Sequence, residues 1–176
     1  LFITSCQKDL EESEVDSISA TEYDSEVPFK WNELLIEIDR YSPNYRPPAA
    51  ARMMGYIGLA VYEGVVPGMA DYKSLKSEFV GLSLPSIEKG KEYHWPTVAN
   101  AIYAEMFRAF YPHIDPKEIL KIDLLEKKFY DQFSSEVSDE VKSRSKFFGI
   151  DVAKAVFAYS ATDQYGHEAF KNPRPS

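Results

Sequence analysis

The chain has 176 residues, 44% hydrophobic and 14% aromatic, enough for one domain with a real core and too much for wholesale disorder. Its net charge of −8 is lopsided: Gln7 to Glu26 holds eight acids and one lysine, so the rest is nearly neutral. No basic stripe exists, which excludes nucleic-acid binding through phosphate neutralisation.

Cys6 is the only cysteine, so neither an intrachain disulfide nor a cysteine-based zinc site can form. Its setting, Leu1-Phe2-Ile3-Thr4-Ser5-Cys6, resembles the end of a secretory hydrophobic region followed by a bacterial lipobox. An aliphatic residue sits three before the cysteine and a small one just before it. The resemblance implies that residues 1–6 are residual signal peptide and that Cys6 becomes a lipidated N-terminus. The membrane would then be a partner through that lipid, and the location the bacterial cell envelope, as an outer-membrane lipoprotein. The start Gln7-Lys8-Asp9 is similar to export signals of lipoproteins in the Bacteroidetes group, which implies surface exposure. Residues 7–28 are acidic and Ser/Thr-rich, lack an apolar period and end at Pro28; they read as a solvated linker.

A helical domain is expected over 29–176. Trp31, Leu34, Leu35 and Ile38 recur at 3–4 spacing and predict an amphipathic helix from Phe29 to Ser42. Pro47 and Pro48 then open, and Pro67-Gly68 closes, a run in which only Arg52 and Glu63 are charged. A helix apolar on every side is enclosed by other helices or by lipid. Its longest uncharged run, 53–62, is far short of the ~20 residues a membrane span needs. The stretch 49–66 is therefore read as the buried central helix of a soluble all-α bundle, with Ala51, Gly55, Gly58 and Ala60 admitting close neighbours. Residues 69–84 offer at most one short helical piece, and Pro85 to Tyr93 a loop. A second nearly apolar helix opens at His94-Trp95-Pro96 and ends near Pro112.

Asp115, Pro116 and Glu118 form a capping signal for a helix using Ile119, Ile122, Leu125, Phe129 and Phe133. Ser138 caps a last long helix that runs to about Thr162, with Val141, Phe148, Val152 and Val156 facing inward. No alternating strand pattern or repeat appears. The expected architecture is about five helices packed around two nearly apolar ones.

Few residues suggest chemistry. Arg52 and Glu63 are three turns apart on one face, roughly 16 Å, so they cannot pair with each other. Each is a candidate for a structural ion pair with another helix, because an unpaired buried charge is costly. His94, His113 and His167 lack metalloprotease spacing. Asp163 and His167 are four apart, but Gly166 between them favours a helix-end hydrogen bond over a metal pair. No metal site, phosphate loop, nucleophile elbow or Ser/His/Asp order is visible.

Three stretches carry a family resemblance. Ala50-Ala51-Arg52-Met53-Met54 through Leu59-Ala60-Val61-Tyr62-Glu63-Gly64-Val65 resembles the N-terminal helix of vanadium-dependent haloperoxidase-like proteins, within the type 2 phosphatidic acid phosphatase superfamily. Trp95-Pro96-Thr97-Val98-Ala99-Asn100-Ala101 is similar to the following family helix. Ser143 to Gly149, with Val152-Ala153 and Ala161-Thr162-Asp163, is similar to the next long one. The resemblance spans about residues 29 to 170. It implies a phosphatase or haloperoxidase whose vanadate or phosphate is held by Lys…Arg-Pro, Pro-Ser-Gly-His and Ser-Arg…His motifs. There Lys and Arg neutralise the oxyanion, backbone amides cradle it, one His bonds it and the other does acid–base work. None of these motifs is present: Lys171 lies only three before Arg174-Pro175, and Ser143-Arg144 is followed by Ile150 where a His is wanted. The expectation is an N-terminal scaffold whose partner is a missing C-terminal catalytic half or a second chain, with a homodimer as a further partner. The alternative is a stand-alone surface lipoprotein acting as a non-catalytic binding module.

Overall fold

A computed structural model describes residues 18–40, 42, 47–163 and 165–167. Among them are five α-helices and no strand, so the fold is all-α: α1 Glu26–Asp39, α2 Pro47–Val65, α3 Trp95–Phe110, α4 Pro116–Gln132 and α5 Asp139–Ser160. The expected caps form. Asp115 accepts the Lys117 amide at 2.9 Å, and Ser138 Oγ accepts that of Val141 at 3.3 Å. Each satisfies an amide that has no partner within its own helix. The connector between α2 and α3 carries short 3-10 turns at Val66–Gly68 and Lys76–Glu78 and is otherwise irregular.

α1 begins three residues earlier than its apolar period predicts. Pro28 sits in the first turn, where an amide would have no intrahelical partner, so the proline does not stop the helix. The linker reading of 7–28 is corrected accordingly at its far end. Residues 18–28 dock on the body: the Trp95 indole N–H donates to the Ile18 carbonyl (3.1 Å) and Ser19 Oγ to the Gly68 carbonyl (3.1 Å). Val27 is buried. Residues 7–17 and Cys6 lie outside the described residues.

The centre of the bundle is α3, the second of the two nearly apolar helices, rather than the 49–66 stretch. α3 packs against all four other helices, and twelve of its sixteen residues are buried, against eight of nineteen in α2. Side-chain volume explains the difference. α3 projects Trp95, Val98, Ile102, Met106, Phe107 and Phe110 into its neighbours, whereas α2 turns Ala51, Met54, Gly55 and Gly58 outward to solvent. Being apolar all round does not by itself identify the helix that is enclosed all round.

α3 and α5 make the closest pair, and Gly149 permits it. A Cβ there would stand 2.6 Å from the Val98 carbonyl oxygen and 3.1 Å from Ala101 Cβ. On the other side of α3, Trp31 stacks on Tyr103 at 5.8 Å and meets Phe107 edge-on at 5.1 Å. A buried polar residue ties three helices there. Asn100 accepts the Trp31 indole N–H (2.9 Å) and donates to the Glu126 carbonyl (3.0 Å). The outer junction of α3, α4 and α5 is an ion-pair network. Arg108 reaches Asp123 (2.7 Å) and Glu126 (2.5 Å), and Lys146 takes the other Glu126 oxygen at 2.9 Å. Burial pushes the Glu126 carboxyl up, but the hydrogen bonds from Arg108 and Lys146 outweigh it and hold it below the usual range.

Candidate functional site

Arg52 sits on α2 with its side chain across the end of α5. Nε donates to Asp163 Oδ2 at 2.7 Å and Nη2 to the Ser160 carbonyl at 2.6 Å, and the guanidinium lies 4.7 Å over the Tyr56 ring. The Ser160 carbonyl belongs to the last turn of α5, where acceptors lack helical partners and the helix dipole favours a cation. Arg52 in turn holds the Asp163 carboxyl below its ordinary range, aided by the Gly166 amide. This is a strut between α2 and the end of α5.

Glu63 is buried but meets no cation among the described residues. Its two oxygens accept the Ser74 hydroxyl (2.6 Å) and the Leu75 amide (2.6 Å). The ion-pair expectation for Glu63 is corrected: neutral donors from the connector satisfy a carboxylate that the sequence paired with another helix. Its task is to fasten the connector to α2. The sequence signal was the Ser-Leu at 74–75, which carries no pattern that would separate it from any other polar turn.

His94 is the most deeply buried titratable ring. Nδ1 shares a 2.8 Å hydrogen bond with Thr97 Oγ1, and the His94 amide donates to Ser145 Oγ at 2.8 Å. Nε2 lies 3.2 Å from Glu136 Oε2, near enough for an ion pair yet off line for a hydrogen bond. Tyr23 and Phe133 pack edge-on against the ring at 5.2 and 4.8 Å. Desolvation pushes its pKa down to about 4, so the imidazole is neutral near pH 7. Hydroxyl, imidazole and carboxylate lie in a row as in a nucleophilic triad, but Thr97 is itself 1% exposed and no substrate can reach it. The row anchors the start of α3.

At the far end, the His167 amide donates to the Asp163 carbonyl at 2.8 Å, and the ring tilts against Phe157 at 5.7 Å. Among the described residues no group of three or more His, Cys, Asp or Glu could hold a metal ion, and no helix is long and apolar enough to cross a membrane. Arg52, Arg108, Arg144, Lys142 and Lys146 all face carboxylates or carbonyls.

What distinguishes α2 is its outward face. Ala51, Met54, Gly55 and Gly58 are exposed, Met54 by 43%, and no charged residue lies among them. Six of the eight glycines have a reason within the chain. A side chain at Gly64, Gly68, Gly149 or Gly166 would overlap Ile102, Trp95, Val98 or Arg52, and Gly81 and Gly90 adopt φ of 90° and 67°. Gly55 and Gly58 have neither a positive φ nor a described atom within 4 Å of a would-be Cβ. Each costs about 1 kcal/mol relative to alanine in a helix, with nothing here to offset it. No known protein family, no characterised protein and no solved structure matches this chain.

Proposed function

We propose that this chain is the N-terminal helical scaffold of a cell-envelope enzyme similar to the vanadium haloperoxidase-like and phosphatase-like proteins. A C-terminal catalytic half packs on the outward face of α2 and supplies the oxyanion site. The observation that carries this is the face itself: exposed, uncharged and holding two helical glycines with no close neighbour among the described residues. A helix that remains in water ordinarily carries polar residues on that side, whereas one that receives another backbone closely favours small ones. The family choice is supported by the packing motifs over 29–170. The absence of the Lys…Arg-Pro, Pro-Ser-Gly-His and Ser-Arg…His motifs favours an oxyanion site elsewhere, with vanadate or phosphate bound by the other half. Lipidation at Cys6 would hold the assembly at the outer membrane.

The test compares this chain with the polypeptide encoded by the gene's complete reading frame. Both are assayed for hydrolysis of a generic phosphomonoester and for vanadate-dependent bromide oxidation. The expected result is turnover by the complete polypeptide in one assay and none by this chain. Robust turnover by this chain alone, or a complete frame lacking Lys…Arg-Pro and Pro-Ser-Gly-His, would overturn the proposal. An unmodified Cys6 in envelope-derived protein would remove the anchor.

A further inference from the structure

Residues 18–25 form a strap that lies on the body without entering it, since none of them is buried. Two hydrogen bonds tether its start, from the Trp95 indole N–H to the Ile18 carbonyl and from Ser19 Oγ to the Gly68 carbonyl, both 3.1 Å. Beneath the strap the packing is incomplete. An apolar gap of about 150 Å³ is bounded by Ala20, Tyr23 and Val27 from this end of the chain and by Val61, Val65 and Trp95 from α2 and α3. Atoms that line such a gap forfeit dispersion contacts, and a segment with few buried contacts opens well before the whole fold does.

The strap also roofs a titratable group. Tyr23 packs edge-on against the His94 ring at 5.2 Å, and Phe133 does so at 4.8 Å from the turn after α4. Thr97 of α3 shares a hydrogen bond with Nδ1, and Ser145 of α5 accepts the His94 amide. Nε2 is buried without a hydrogen bond, 3.2 Å from the Glu136 carboxylate. Desolvation of this enclosure is what holds the ring pKa at about 4. Glu136 is a failing counter-charge in acid. Burial, with Asp24 and Glu26 nearby, holds its carboxyl above the ordinary range, so it takes up its own proton as pH falls. Glu92 and Glu22 are the further acids beside Tyr23. Lifting Tyr23 removes one wall of the enclosure and returns the imidazole toward its ordinary 6.5. The open state then binds a proton that the closed state excludes, so acid populates the open state and neutral pH the closed one. We propose that residues 18–25 are an acid-released strap: protonation of His94 frees them from the body and uncovers Trp95 and the apolar gap beside it.

Two indole N–H groups report on this release. That of Trp95 is capped by the strap, and that of Trp31 is held by Asn100 in the core. Their hydrogen exchange is followed by NMR in the full 176-residue chain from pH 7 to 4.5, with rates corrected for intrinsic exchange. A ring pKa of about 4 closed and 6.5 open gives a rise in strap opening of about fiftyfold across that range. Trp95 should lose protection by that factor and should be at least about tenfold less protected than Trp31 at every pH, as a partial opening requires. His94→Gln removes the titrating ring and should flatten the pH dependence at Trp95. Tyr23→Ala, at a partly exposed position, admits water to the ring in both states and should flatten it as well. Glu136→Gln should leave the rise in place. Unchanged protection of Trp95 in acid, equal protection of the two indoles, a full rise surviving in His94→Gln or Tyr23→Ala, or its loss in Glu136→Gln would each overturn the proposal.

Discussion

Two buried polar residues, Asn100 and His94, tie distant parts of the chain together. Asn100 holds the indole N–H of Trp31 and the carbonyl of Glu126 at the meeting point of α1, α3 and α4. Asn100→Ala leaves that indole donor buried without a partner and should lower unfolding free energy by about 2 kcal/mol, read from denaturant midpoints. A loss below about 0.5 kcal/mol would contradict the role. His94 gives a pH signature. Its folded pKa lies below its unfolded value of 6.5, so its contribution is present above pH 6.5 and is lost as pH falls toward 4. The difference, fully developed, is roughly 3 kcal/mol. His94→Gln should flatten the stability profile between pH 6.5 and 4, while the wild type declines across the same window. Neither residue announces itself in the sequence. An Asn inside an apolar helix and a His before a Trp-Pro become legible only when their partners, 69 and 51 residues away for Asn100–Trp31 and His94–Ser145, are brought beside them.

Among the elements, local signals are legible in the sequence and tertiary ones are not. Asp115-Pro116 and Ser138 mark the starts of α4 and α5 because a cap is a contact between near neighbours. The start of α1 and the docking of residues 18–28 depend on Trp95 and Gly68, far along the chain, and no periodicity reports them. The identity of the central helix failed for a related reason: apolar composition is shared by α2 and α3, and only side-chain volume separates the one that fills four interfaces from the one that fills fewer. Glycines allow this to be tested. Gly55→Ala and Gly58→Ala in this chain should each raise stability by about 1 kcal/mol, since both positions are helical with open space around them. Gly149→Ala should instead cost about 2 kcal/mol or more, because the added methyl meets the Val98 carbonyl and Ala101 at the α3–α5 crossing. Thermal melts of the three variants distinguish the two kinds of glycine. If Gly55→Ala and Gly58→Ala destabilise this chain, its own residues already cover that face.

For the molecule as a whole, the fold is closed on one side and open on the other. α3 is surrounded, the ion pairs join helices to one another, and the outward face of α2 is left apolar, small and uncharged. That combination is the surface on which the proposed second body would pack. The most direct test is the reactivity of a thiol placed on that face. Met54→Cys, in a background with Cys6→Ser, is labelled by a maleimide both in this chain and in the polypeptide from the complete reading frame. Labelling should be fast in this chain and at least about tenfold slower in the complete polypeptide, where a packed interface excludes the reagent. Equal rates in the two would contradict the proposal that α2 receives a catalytic half.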